Sequence, residues 1–97
     1  MAVKIDPKDK AFVVETIRRF FPNAMILAFG SRIRGDAKPY SDLDVAIDNG
    51  EVLDYATLAQ LKESFAESRL AYKIDVVDLR VADSEFFALI KGYAQSW

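Results

Sequence analysis

Two short groups of residues in this chain have the types and the spacing that chemistry needs. Gly30-Ser31 closes an apolar run, and after ten intervening residues Asp42-Leu43-Asp44 opens a second one. In a strand, alternate side chains share a face with Cα atoms ~6.5–7 Å apart, so Asp42 and Asp44 can converge on one hard cation, whose oxygen ligands sit at ~2.1 Å. Glycine lets backbone and ligand approach closely, and a helical turn opening at Ser31 aims N–H groups and a positive dipole end at an anion. The pattern is a phosphate cradle facing a metal clamp. Each half alone is weak, because glycine ends many strands for steric reasons and acidic residues often face solvent. Together they are stronger: aspartate is disfavoured in strands, yet Asp42 and Asp44 fall on one face of a strand close to the Gly-Ser turn. Asp75 interrupts a third apolar run in the same way. Three carboxylates gathered there would repel and titrate abnormally unless a divalent cation neutralised them, which predicts magnesium. Alternation puts Asp78 on the opposite face from Asp75, so Asp75 rather than Asp78 is the candidate to join Asp42 and Asp44.

Composition narrows the remaining options. The chain has 97 residues, enough for one small domain spanning 1–97 and too few for a separate substrate-binding domain. Its 13 basic and 15 acidic residues, net charge −2, argue against direct nucleic-acid binding held by bulk charge. There is no cysteine for a disulfide, thiolate or zinc-thiolate site, and no histidine for the commonest general base or zinc ligand. What remains is carboxylate and metal. No run approaches the ~20 apolar residues of a membrane span and no signal peptide is evident, so a cytoplasmic protein without membrane contact is expected.

The elements that must position these residues follow from periodicity. Asp6-Pro7 starts a helix carrying Val13, Ile17, Phe20 and Phe21 on one face, stopped by Pro22-Asn23. Ala24 to Phe29 reads as a strand covered on both faces, Ser31 opens a short helical turn that Gly35 closes, and Asp36 to Ser41 is a loop. Asp42 to Ile47 is the second strand, with Leu43, Val45 and Ile47 pointing into the core. A helix from about Asp54 to Ser68 and a strand from Tyr72 to Leu79 come next. Asp83-Ser84-Glu85 then caps a last helix with Phe86, Leu89, Ile90, Tyr93 and Trp97 at spacings of three and four. This order predicts an α/β fold, a small central mixed sheet of three or more strands flanked by helices.

Gly30-Ser31 in the form Gly-Ser-Arg-x-Arg-Gly, Ser41-Asp42-x-Asp44, and Asp75 on a later apolar strand together resemble the nucleotidyltransferase superfamily related to DNA polymerase beta. The size and loop are similar to its minimal nucleotidyltransferases, the MntA-type adenylyltransferases that form the antitoxin half of HEPN/MNT toxin-antitoxin pairs. The resemblance implies that Gly30 and Ser31 hold ATP phosphates and that Asp42, Asp44 and Asp75 are catalytic and hold two magnesium ions; Arg32, lying between the two halves of the motif, is a nucleotide-binding candidate as a cation that can meet triphosphate oxygens. It also implies AMP transfer from ATP to a hydroxyl of a HEPN-type toxin. A non-catalytic subunit that neutralises its partner by occlusion, and a small-molecule nucleotidyltransferase of the antibiotic-modifying kind, are the alternatives. Independently of the resemblance, no segment is left over to hold an acceptor beside the nucleotide, so an acceptor surface is expected from another chain. The loop with Arg34, Lys38 and Tyr40 borders the site as its first expected contact.

Overall fold

Three aspartates start the three longer helices. In the computed structural model, which describes residues 5–38 and 40–97, Asp6 accepts from the Lys8 N–H at 2.8 Å and begins α1, Pro7–Phe20. Asp54 accepts from Thr57 at 3.0 Å and begins α3, Tyr55–Ala66. Asp83 accepts from Phe86 at 2.9 Å and begins α4, Ser84–Ile90. Each carboxylate satisfies a first-turn N–H that has no intrahelical acceptor.

Between the helices run β1, Met25–Phe29; the single turn α2, Ser31–Arg34; β2, Leu43–Asp48; β3, Ile74–Asp78; and a two-residue strand β4, Gln95–Ser96. They form one sheet in the order β3-β2-β1-β4. β1 is antiparallel to β2 and β4, whereas β2 and β3 run parallel and are joined through α3, as a parallel pair requires. The sheet is mixed, as expected.

Its two faces are chemically different. Ile26, Ala28, Leu43, Val45, Ile47, Ile74 and Val76 face α1 and α3, where Val13, Ile17, Leu61 and Phe65 complete the main core. Leu43, Val45 and Ile47 are fully buried, and each such side chain contributes roughly 1.5–3 kcal/mol on leaving water. The alternate residues of the same strands face the other way, where Phe29, Ala46 and Ile90 form a smaller cluster with Phe86 and Tyr93 against it. α4 covers this second face only in part, and the ends of the strands nearest Gly30 stay open.

The C-terminal stretch departs from its sequence pattern. The spacing of three and four from Phe86 to Trp97 predicts one helix, but α4 ends at Ile90 and the chain turns to form β4. Lys91-Gly92 is the stop signal, and Ala94 N–H caps the Ile90 carbonyl at 2.8 Å. Leu89, counted with the apolar face, is 76% exposed. No helix among the described residues is long and apolar enough to cross a membrane.

Candidate active site

Register brings the sequence motifs together. Phe29 pairs with Asp44, and Asp44 pairs with Asp75, so the last residue before Gly30 and two of the three candidate carboxylates lie in one row across three strands. Neighbouring strands are ~4.8 Å apart, and Asp44 and Asp75 project on the same face. Around them an open cleft of about 540 Å³ is lined by Gly30, Ser31, Arg34, Asp44, Asp75 and Tyr93, with Phe86, Leu89 and Ile90 from α4 as its apolar wall.

Gly30 is dictated twice over. Its backbone lies at φ 82°, ψ −169°, a region essentially restricted to glycine, and a Cβ there would overlap the Asp44 carboxylate. The close approach that glycine predicts is therefore an approach of the turn to Asp44 itself. Gly35, at φ 94°, closes the turn from the other end, its N–H returning to the Ser31 carbonyl at 3.0 Å. With only one helical turn behind it, the dipole adds little; the donors are the Ser31 N–H, which has no intrahelical acceptor, and the Ser31 hydroxyl.

The aspartates separate cleanly by their partners. Asp6, Asp54 and Asp83 are caps, Asp9 accepts from the Tyr72 hydroxyl, and Asp36 pairs with Arg34. Asp48 accepts from Gly50 N–H and pairs with Arg80 at 2.7 Å. Asp78 accepts from Leu53 and Arg80 N–H groups, each at 2.9 Å. Among the described residues, Asp42, Asp44 and Asp75 alone of the ten aspartates have neither a hydrogen bond nor an ion pair. Burial, then the charges of Asp75 and Asp42, push the Asp44 carboxyl from 3.8 up to about 6, with Arg34 opposing them weakly.

Asp42 is placed differently from its expectation. β2 begins at Leu43, so Asp42 stands exposed on the turn before the strand rather than on the strand face. It acts on Asp44 through its charge. Among the described residues no three acidic side chains form a ready-made cage for a metal ion. The donor set still fits magnesium, which binds one or two carboxylates together with substrate phosphates rather than an all-protein cage.

Arg32, expected beside the nucleotide, is turned away from the cleft. It is 5% exposed, its Nε donates to the Ser41 carbonyl at 2.6 Å, and its guanidinium lies 3.8 Å from the Tyr72 ring centre. It braces the loop that delivers Asp42. The cation that does line the cleft is Arg34, 5.8 Å from the Tyr93 ring centre. Lys38 and Tyr40 are exposed on the loop. Tyr93, which the sequence pattern placed in the last helix, is a site residue that sequence reasoning missed: its hydroxyl accepts from the Gly30 N–H at 3.1 Å and so holds the turn at the cleft floor. The Lys91-Gly92 stop just before it is the signal that releases it from the helix.

A single turn after a strand and two unpartnered carboxylates in register beside it thus share one open cleft. Residues 14–92 match the family described as polymerase beta, nucleotidyltransferase. The chain belongs to this family. This nucleotidyltransferase is 38% identical over 87 residues to the probable protein adenylyltransferase MntA of Haemophilus influenzae, a match covering 90% of this chain and 76% of that one. Among solved structures it is similar to a toxin-antitoxin crystal structure with AMP-PNP, with a TM-score of 0.78 and 26% identity over 92% of this chain and 73% of the other. It is also similar to a structure of a tri-AMPylated Shewanella oneidensis HEPN toxin in complex with MNT antitoxin, with a TM-score of 0.69, 26% identity, and 91% and 68% coverage. The sequence resemblance to the minimal nucleotidyltransferases is thus borne out, as is the mixed α/β fold.

Proposed function

We propose that residues 1–97 act as one magnesium-dependent protein adenylyltransferase, transferring AMP from ATP to a hydroxyl of a HEPN-type toxin and serving as its antitoxin. The observation that carries this reading is the row Phe29–Asp44–Asp75 ending at the Gly30-Ser31 turn: a phosphate-sized turn and two unpartnered carboxylates share one open cleft. A relative named as a probable protein adenylyltransferase, and a similar structure of an AMPylated HEPN toxin in complex with its MNT antitoxin, support the choice of acceptor.

In this reading the Ser31 N–H and hydroxyl receive phosphate oxygens of ATP, and Tyr93 keeps Gly30 in the conformation that exposes them. Arg34 faces the same space and meets the charge of the departing pyrophosphate. The acceptor hydroxyl oxygen forms a bond to the α-phosphorus while the bond from that phosphorus to the β-phosphate bridging oxygen breaks. The hydroxyl proton passes to Asp75, whose carboxylate is exposed and has no competing donor among the described residues. Asp44 and Asp42, with Asp75, would hold magnesium, which supplies Lewis-acid activation of the hydroxyl and charge neutralisation when bound. The apolar wall of Phe86, Leu89 and Ile90 is where the adenine side of ATP finds a hydrophobic surface.

The test uses ATP labelled in its α-phosphate, with magnesium and the HEPN-type partner. Label on the partner with the wild-type chain, and none with Asp75→Asn, is the expected result. A partner that stays unlabelled yet is fully neutralised by both chains would replace transfer with occlusion.

A further inference from the structure

The two edges of the sheet are finished differently. β4 pairs with β1 at Leu27 and Ala28, and the Trp97 N–H donates to the Ile26 carbonyl at 2.8 Å. β3 is the other edge, with no strand beyond it among the described residues. Leu43 N–H donates to the Lys73 carbonyl and Leu79 N–H to the Ile47 carbonyl. In a parallel ladder of that register the peptide groups of Asp75 and Val77 face β2, and those of Ile74, Val76 and Asp78 face outward. An edge of this kind is a template for another strand.

A trough runs along that edge. A hollow of about 660 Å³ borders the first half of β3 and a second of about 480 Å³ borders its last half; Lys62 and Val76 line both, which joins them. The far half is walled by Val52, Tyr55 and Val81, which are 62%, 86% and 68% exposed. The near half reaches Asp75, which also lines the nucleotide cleft. Trough and cleft therefore meet at the carboxylate that takes the proton.

We propose that the trough receives an extended segment of the acceptor protein, which adds to β3 as the next strand of the sheet; the inference rests on the adenylyltransferase reading above. Directly opposed residues of neighbouring strands project on the same face, with Cβ atoms ~4.5–5.5 Å apart. The residue opposite Asp75 thus continues the row Phe29–Asp44–Asp75 and delivers its hydroxyl to the cleft. Its two neighbours in the segment point to the other face, toward the trough. Lys62 and Lys73, both exposed on the trough wall, select acidic residues in the segment. A second copy of this chain is the poorer occupant at this site, since the register that continues the row at Asp75 would set the Asp75 of one copy against the Asp75 of the other, and opposed like charges destabilise a strand pair.

Residue-resolved amide hydrogen exchange on the full chain, with α,β-methylene ATP and magnesium, with and without the HEPN-type acceptor protein, tests this. Strand addition predicts at least about tenfold slower exchange at Ile74, Val76 and Asp78, with little change at Asp75 and Val77, already bonded to β2. Lys62→Glu and Lys73→Glu should each raise KM for the acceptor about five- to tenfold and leave KM for ATP unchanged. AMP transfer with no alternating protection and with both variants at wild-type KM would overturn strand docking and leave the adenylyltransferase reading intact. Alternating protection without any transfer would support the docking and sink that reading. Protection that appears in the chain alone and grows with its concentration would mean a second copy, and would overturn the proposal.

Discussion

Asp44→Asn should make the metal-free protein more stable while abolishing transfer. The wild-type carboxyl is held up at about 6 from an ordinary 3.8, by burial first and by Asp75 and Asp42 next. A raised carboxylate pKa means that the folded state prefers the protonated form, so the cost is absent below about pH 4, grows through the interval up to about 6, and is complete above it. At 1.36 kcal/mol per unit the ceiling is ~3 kcal/mol; Asp44 is only partly buried, and solvent screening brings this to ~1–2 kcal/mol. The roughly 5–9 kcal/mol contributed by burying Leu43, Val45 and Ile47 on the same strand outweighs it, which is how an unpartnered aspartate is kept there. Thermal melts in a metal-free buffer at pH 7.5 should show the Asn variant ~5–10 °C more stable, with the gain gone at pH 4. Magnesium with ATP should then stabilise wild type more than the variant. A variant that is less stable at pH 7.5, or whose gain does not depend on pH, would refute the electrostatic account of Asp44.

Four further outcomes are expected. Gly30→Ala should cost about 1–3 kcal/mol of stability through its backbone region, and more through overlap with Asp44, with ATP binding lost in a calorimetric titration. Tyr93→Phe removes the acceptor of the Gly30 N–H and should weaken ATP binding about fivefold, the equivalent of about 1 kcal/mol, with the fold retained by circular dichroism. Asp75→Asn should lose transfer and keep ATP binding, whereas Asp78→Asn should keep transfer but lower the denaturation midpoint, because the Leu53 and Arg80 N–H groups lose a charged acceptor worth about 1–2 kcal/mol. Arg32→Ala should destabilise by about 2 kcal/mol through the lost Ser41 and Tyr72 contacts; Arg34→Ala, exposed and only loosely paired, should change stability by less than about 0.5 kcal/mol and raise KM for ATP.

Much of the site was legible because its constraints are local. Gly30-Ser31 announces a turn, and the apolar alternation around Asp44 and Asp75 fixes which face each occupies, so the register Phe29–Asp44–Asp75 follows once the strands pair. Arg32 and Arg34 could not be told apart by type or by loop position. Which one is buried is decided by Tyr72, forty residues on in sequence, and no local pattern carries a contact of that range. Tyr93 was hidden for the opposite reason: a spacing of three continued an existing helical pattern and outweighed Gly92. β4 is two residues long, too short for any alternation to appear. Asp42 missed its strand by one position, within the usual uncertainty of element ends, but at a site that single position separates a residue on the sheet from one that precedes it.

Transfer of AMP from this cleft onto a protein hydroxyl can be read from the intact mass of the HEPN-type partner after incubation with ATP and magnesium. The wild-type chain should add the mass of one adenylyl group for each modified hydroxyl, and Asp44→Asn or Asp75→Asn at equal folded concentration should leave the unmodified mass. Full modification by either variant, or an unmodified partner in a complex shown to bind ATP, would contradict it.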